Sequence, residues 1–320
     1  AGVGDGWSRD RRPARPRRVG FLPALYSLLD PFWSRVRLPV RPVAREVTLG
    51  PLRALEMYRA FAGQPIMKVY SFALGDTLID TGLASLGDRV VAWARSLGAT
   101  RAVLTHHHED HAGNTSALLA AGFDVRATET TATLVDAGLP IPFYEHLAWG
   151  KPPPARPRLL EPVLDVGGRR VEVIAAPGHC IDQVCFWLPD EGWLFSGDVF
   201  LHERVRLFRR DEDFAVTMQT LERLCALPIQ SLWCAHRPRV EDGGAALRSK
   251  LQHLRDLEGE VRRKHAQGWS IRRIARSLSV SGSIGMELLT FGDATTENLV
   301  RSILFGPRPR DEVRRRLAGG

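Results

Sequence analysis

Six consecutive residues, His106-His107-His108-Glu109-Asp110-His111, gather four imidazoles and two carboxyl groups at one point of the chain. They follow Val103-Leu104-Thr105, which reads as the end of a buried strand, and they precede a helical pattern. No other feature constrains the fold as much, because a strand must deliver the cluster to a sheet end and a helix must start directly after it. Buried histidine needs a partner, and adjacent imidazoles repel once protonated. A metal ion resolves both difficulties by binding the neutral ring, and imidazole with carboxylate suits zinc, iron or manganese. In an extended loop His106 and His108 point to the same side and can reach one ion. Asp110 and His111, on the turn into the helix, can reach a second.

Four donors do not complete two sites. Three later segments each end an apolar strand on a polar residue: Val173-Ile174-Ala175-Ala176-Pro177-Gly178-His179, Trp193-Leu194-Phe195-Ser196-Gly197-Asp198, and Leu232-Trp233-Cys234-Ala235-His236. Taken singly, a histidine at a strand end is more often an ordinary loop residue. Beside the hexapeptide, the three become the missing ligands.

This ordered set resembles the metallo-β-lactamase superfamily, whose pattern is HxHxDH, then a histidine, a bridging aspartate and a final histidine. All seven positions are filled, within about residues 45–240. The resemblance implies that His106, His108 and His179 hold one metal, that Asp110, His111 and His236 hold another, and that Asp198 bridges them. Leu78-Ile79-Asp80-Thr81-Gly82 matches the family's early strand-end aspartate, so Asp80 is expected to support the ligands from behind. The implied fold is α/β, a four-layer αβ/βα sandwich with a C-terminal helical, winged-helix-like module. The implied cofactors are two divalent ions, zinc first and iron or manganese as alternatives. Ions about 3.5–4 Å apart share a hydroxide that attacks a carbonyl or phosphoryl centre. Asp110 is expected to orient it and shuttle its proton. Cys180 is expected to be a small neighbour, His107 to point away and Glu109 to be a solvated acid.

Thr105-His106-His107-His108-x-Asp110-His111 is similar to the glyoxalase II signature, but Val199-Phe200-Leu201-His202-Glu203-Arg204 replaces that enzyme's glycine- and cysteine-containing segment. A flavodiiron protein would carry Glu at position 108, and the full second-site set disfavours a mononuclear dioxygenase. Only 37 residues separate Asp198 from His236, too few for the insertion of long RNA-processing members. A Gly-Gly turn and a long charged helix after His236 resemble the lactamase-β-2-like branch. The expected activity is hydrolysis of a small-molecule thioester, lactone or other activated ester, with a single-strand ribonuclease as the alternative. Cleft-wall candidates are residues 138–157, with Pro140, Pro142, Phe143, Tyr144 and Trp149, and His202–Phe208, with Arg204 and Arg206.

A net charge of +8 suggests nucleic acid until it is located. Residues 1–50 hold ten Arg against four acids, and 301–320 six against two. Residues 51–300 hold 28 basic against 30 acidic side chains, so the body lacks the cationic surface that phosphate binding needs. Ser270 to Ser281 has the outline of a helix-turn-helix, with Ile271, Ile274, Ala275 and Leu278 on one side and arginines on the other. Docking of that apolar side on the catalytic domain is the expected reading, and nucleic-acid binding the alternative.

Three regions follow. Residues 1–43 form an Arg/Pro-rich arm with an apolar patch from Phe21 to Trp33, residues 44–243 the catalytic domain, and 244–320 the helical module. After Arg17-Arg18 the apolar run is short and broken by Pro23, so a basic arm is expected rather than an export signal. Strands are expected at Ile66–Ala73, Thr77–Asp80, Ala102–Thr105, Val125–Ala127, Arg170–Ala175, Gln183–Trp187, Trp193–Phe195 and Ser231–Cys234. Helices are expected at Leu86–Leu97, Ser116–Ala121, Glu129–Ala137, Ala245–Gln267, Ile271–Leu278 and Thr295–Leu304. Lys151 to Pro157 reads as a stiff connector between the halves of the domain. Four scattered cysteines without a CxxC pair fit a reducing cytoplasm, and no run reaches the ~20 apolar residues of a membrane span. Nothing in the sequence sets the oligomeric state, and a homodimer is compatible with it.

Overall fold

Alternating apolar runs build two sheets in this computed structural model, which describes residues 40–138, 141–205, 208–278, 290, 292–308, 313 and 317. The arm's patch at Phe21–Trp33, the arginine pair Arg17-Arg18, Pro140, Arg206 and Ser279–Ser281 lie outside the described residues. The first sheet comprises β1 (Val40–Leu49), β2 (Leu52–Phe61), β3 (Gln64–Leu74), β4 (Thr77–Ile79), β5 (Arg101–Val103), β6 (Asp124–Ala127) and β7 (Arg158–Leu159) in spatial order. β1 to β4 pair antiparallel, and β4 to β7 parallel. The second sheet comprises β8 (Val163–Val166), β9 (Arg169–Ala175), β10 (Val184–Leu188), β11 (Trp193–Gly197) and β12 (Ser231–Cys234), also in spatial order. Only β11 and β12 are parallel there.

The sheets face each other across one apolar core. Phe72, Leu74, Ile79 and Val103 meet Val184, Phe186, Phe195 and Trp233. The outer face of the first sheet, with Leu55, Met57, Val69 and Leu78, is covered by the helices Gly87–Ser96, Thr115–Ala120, Glu129–Ala137 and Phe143–Trp149. The outer face of the second, with Cys185, Trp187, Leu194 and Leu232, is covered by Phe214–Cys225, Gly243–Ala266, Ile271–Ser277 and Thr296–Phe305. The result is the expected four-layer αβ/βα sandwich, with helix–sheet–sheet–helix burial of each apolar face.

The C-terminal helices are part of this fourth layer. Leu247, Leu251, Val261, Ile274 and Leu299 belong to the same core cluster as β10 and β11. The apolar side of the Ile271–Ser277 helix is therefore docked, and Arg272, Arg273 and Arg276 face outward. Strand β1 begins at Val40, inside the segment that composition grouped with the arm. Its Pro42 is tolerated because β1 is the edge strand of this sheet among the described residues. The Lys151–Pro157 connector leads from a helix into β7, and the chain changes sheet only after Leu159. The helices Phe143–Trp149 and Phe214–Cys225 and the strands β1, β2, β7 and β8 add to the elements expected from sequence. The four cysteines are unpaired, and no helix among the described residues is long and apolar enough to cross a membrane.

Candidate metal centre

Strand β5 ends at Val103, and the chain then folds into a tight loop in which the His111 and Ala112 amides both donate to the His108 carbonyl, at 3.0 and 2.8 Å. This turns His111 back over His106, with ring centroids 4.0 Å apart. The imidazoles fall into two groups. His106 Nε2 and His179 Nε2 lie 3.0 and 3.1 Å from His108 Nδ1. His111 Nε2 and His236 Nε2 lie 3.2 and 3.4 Å from Asp198 Oδ1, and Asp110 Oδ2 is 3.2 Å from His236 Nε2. The other oxygen of Asp198, Oδ2, is 3.5 Å from His179 Nε2. Asp198 thus turns one oxygen to each group. It reaches this position through a register shift in β11, where Gly197 adopts φ +48° and packs so close to Thr105 that a Cβ would sit 3.0 Å from its Oγ1.

Four of the five rings are oriented from behind. The Nδ1–H of His111 donates to Asp80 Oδ2 at 2.8 Å, and that of His236 to the Lys68 carbonyl at 2.6 Å. Glu212 Oε1 lies 3.3 Å from His179 Nδ1. Thr105 Oγ1 donates to Asp80 and receives the Nδ1–H of His106 at 3.0 Å. These contacts turn the Nε2 of His106, His111, His179 and His236 to the centre, and His108 turns its Nδ1 there. Asp80 also accepts from the Thr105 amide at 2.8 Å and holds φ +59°, a left-handed conformation unfavourable for a residue with a Cβ.

Burial lowers the pKa of His106 and His108 well below the usual imidazole value, and neighbouring histidines lower it further. Both effects favour the neutral ring, the form that a metal requires. At His111 and His236 burial also favours the neutral ring, but the carboxylates Asp198 and Asp110 outweigh it and push both pKa values well above normal. Burial would raise Asp198, yet His236 and His111 hold it well below the carboxylate range. The group is a buried balance of anions and imidazoles that a cation can occupy. The fit is visible in individual atoms: His111 Nε2, His236 Nε2 and Asp198 Oδ1 are buried without a hydrogen-bond partner among the described residues.

All seven donors expected from sequence come together here, and Asp80 stands behind them. His107 does point away, with its amide and Nδ1 on Asp182 at 2.9 and 2.8 Å, and Thr131 donates to the same carboxylate. Burial keeps the Cys180 thiol protonated, with its pKa well above the thiol value, as suits a small neighbour. Glu109 is not the solvated acid expected. It is 7% exposed, and burial with Glu145 nearby pushes its pKa up to about 8. Glu212 and Asp182 have no place in the sequence reading. An acid in a loop carries no periodic signal, although Glu212 stands next to Asp213, which caps the Phe214–Cys225 helix.

A cavity of about 370 Å³ opens on the centre at His179, Asp198 and His236. Its walls include Met67, Leu201, Phe208 and Leu254, and its cations are Lys68, Arg204, Arg237 and Lys250. His202, Arg204, Val205 and Phe208 line it as expected of that stretch. The described residues of the 138–157 segment do not: Tyr144 donates to Asp293 at 2.6 Å, and Trp149 is buried with its ring 5.8 Å from that of His236. Trp149 packs beside His236 instead of walling the cavity.

A family profile described as the metallo-beta-lactamase superfamily matches residues 74–252, more than half of the 320 residues. The chain belongs to that superfamily. This member is similar to the hydroxyacylglutathione hydrolase of Rhodobacter capsulatus, 33% identical over 147 residues that cover 45% of this chain and 51% of that protein. It is also similar to the atrochrysone carboxyl ACP thioesterase of Aspergillus fumigatus, 29% identical over 219 residues, 68% of this chain and 59% of the relative. The chain spans between about half and two thirds of the length of the curated relatives it matches. A beta-lactamase domain protein from Burkholderia ambifaria shares the fold with a TM-score of 0.54 at 17% identity, over 84% of this chain and 88% of that one. Superfamily membership implies divalent metal binding, and the histidine–aspartate clusters supply the donors.

Proposed function

We propose that this superfamily member is a binuclear metal-dependent hydrolase of small acyl thioesters. The observation that carries the reading is the two-sided placement of Asp198, one oxygen toward His179 and the other toward His111 and His236. His106, His108 and His179 would hold one ion, Asp110, His111 and His236 the other, and Asp198 both. Neutral imidazole with carboxylate favours zinc, and iron or manganese are accepted by the same donors. Two such ions would activate water and polarise the carbonyl under attack.

The chain's own residues do the rest. The apolar walls at Met67, Leu201, Phe208 and Leu254 seat the acyl chain and exclude bulk water. Asp110, buried beside His236, takes the proton released as water adds to the carbonyl carbon and returns it to the sulfur as the C–S bond breaks, giving an acid and a thiol. Asp80, Thr105, Glu212 and the Lys68 carbonyl keep the rings aimed. Thioesters are favoured over lactones and RNA because two relatives are named for thioester hydrolysis and the cavity wall is largely apolar.

Parallel assays of the zinc-loaded chain on an acyl thioester, a lactone and single-stranded RNA test the reading. Thioester cleavage at the highest kcat/KM is expected. Cleavage of RNA with none of the thioester would overturn it.

A further inference from the structure

Lys250 stands where the apolar pattern of its helix calls for leucine. Beyond the first turn of Gly243–Ala266 the buried positions are Leu247, Lys250, Leu251, Leu254, Leu257, Val261 and Lys264, a single face at helical spacing. Lys264 is paired with Glu260 and Ser277. Lys250, 9% exposed, has no carboxylate partner among the described residues. Its Nζ donates to the Val199 carbonyl at 2.6 Å and lies 6.0 Å over the Phe200 ring. An ammonium has three donors, so one carbonyl leaves it under-satisfied. Glu212 and Asp198 attract it without touching it, so its remaining donors have no contact partner among the described residues, a costly way to fill a core position.

The place of this cation matters. Val199 follows Asp198 directly, so Lys250 meets the cavity wall next to the metal-facing end. Two arginines of the wall are exposed, and its polar groups Glu212, Thr217, Thr220 and Lys68 are engaged. Glu212 faces His179, Thr217 and Thr220 donate to the Asp213 and Pro177 carbonyls, and Lys68 pairs with Glu56 at 2.9 Å. Arg204 and Arg237, exposed and without an ion pair among the described residues, add to the positive sign of the cavity. An apolar cavity with a buried, under-satisfied ammonium beside the reacting centre is complementary to an acyl chain that carries an anion.

We infer that Lys250 receives a carboxylate borne by the acyl group, so that the substrates are short acyl thioesters with an anionic acyl end. The inference rests on the thioesterase reading and adds its specificity. It is tested on the metal-loaded full chain with four-carbon acyl thioesters of N-acetylcysteamine, one ending in a carboxylate (succinyl) and one in a methyl group (butyryl), and with their non-cleavable thioether analogues. Calorimetry of the thioethers should show the carboxylate form binding about 10-fold or more tightly, the order a charge-assisted hydrogen bond contributes. The kcat/KM ratio of the two thioesters should shift likewise, mainly through KM. In Lys250→Gln, which retains a donor for the Val199 carbonyl, both ratios should collapse toward one, and Lys250→Arg should restore part of them. Equal binding of the two thioethers by the unaltered protein, a comparison that needs no variant, would overturn the inference, as would a preference surviving in Lys250→Gln. A carboxylate preference in binding with hydrolysis of neither thioester would overturn the thioesterase reading and leave the Lys250 assignment standing.

Discussion

Asp80 Oδ2 lies 2.8 Å from His111 Nδ1, and the aspartate that makes this contact holds a left-handed backbone with φ +59°. The conformation is sustained by the Asp80 amide bond to the Val103 carbonyl and by Ser71 Oγ donating to the Asp80 carbonyl, at 2.9 and 2.7 Å. A strained residue is thus fixed by the sheet so that one imidazole presents its Nε2 to the centre. Asp80→Asn preserves the shape and removes the charge. Its metal affinity should fall about 10- to 100-fold, the usual effect of losing an orienting carboxylate behind a ligand. Competition with a chromophoric chelator measures it, and an unchanged affinity would contradict the role.

Gly113 closes the metal loop against the strand end that carries Asp80. A Cβ there would collide with the carbonyl oxygens of Gly82 and Glu109 and lie 2.7 Å from the Ala84 nitrogen. All three are backbone atoms, so no side chain can yield. Gly113→Ala should destabilise the fold by about 3 kcal/mol, at the upper end of overpacking effects. Chemical denaturation reads this directly, and a variant as stable as the parent would show that the loop is looser than its contacts indicate.

Glu56 couples stability to acid. Burial would raise its pKa, but hydrogen bonds from Lys68 and Tyr70, at 2.9 and 2.7 Å, hold it below the usual value. A carboxyl with a depressed folded pKa contributes stability above its unfolded value, near 4.5, and loses it as pH falls through the folded value. The Tm gap between the parent and Glu56→Gln should therefore be full near neutrality and close as the pH falls below 4.5 and through the folded value. A gap independent of pH would exclude this ionisation as its source.

The C-terminal helices share their core with β10 and β11, so they should not melt separately. Leu247 is fully buried in that cluster. Leu247→Ala should lower stability by about 2–5 kcal/mol and shift one cooperative transition. Two transitions, with only the smaller one moving, would mark the helices as an independent module.

The convergence of the seven donors was legible because each lies in a loop that follows an apolar strand, and a sheet brings strand ends to one edge. The supports behind them were not. Asp182 lies 75 residues from its partner His107, and nothing at either position signals the other. Glu109 looked solvated, and the charge that acts on it, Glu145, comes from a distant segment. The Phe214–Cys225 helix was readable, with Asp213 as its cap and Phe214, Met218, Leu221 and Leu224 at helical spacing, yet it is missing from the sequence assignment. β1 was hidden for a different reason: an exposed edge strand with Arg and Pro resembles an arm in composition.

The central claim is that Asp198 joins two groups of ligands into one binuclear centre. Metal content per chain, measured by elemental analysis after zinc loading and desalting, tests it most directly. Two ions per chain are predicted for the parent protein. Asp198→Ala should retain one or fewer, with thioester hydrolysis reduced by about 100-fold or more, the scale of losing a transition-state charge contact. One ion or none in the parent, or two ions with full activity in Asp198→Ala, would contradict the account.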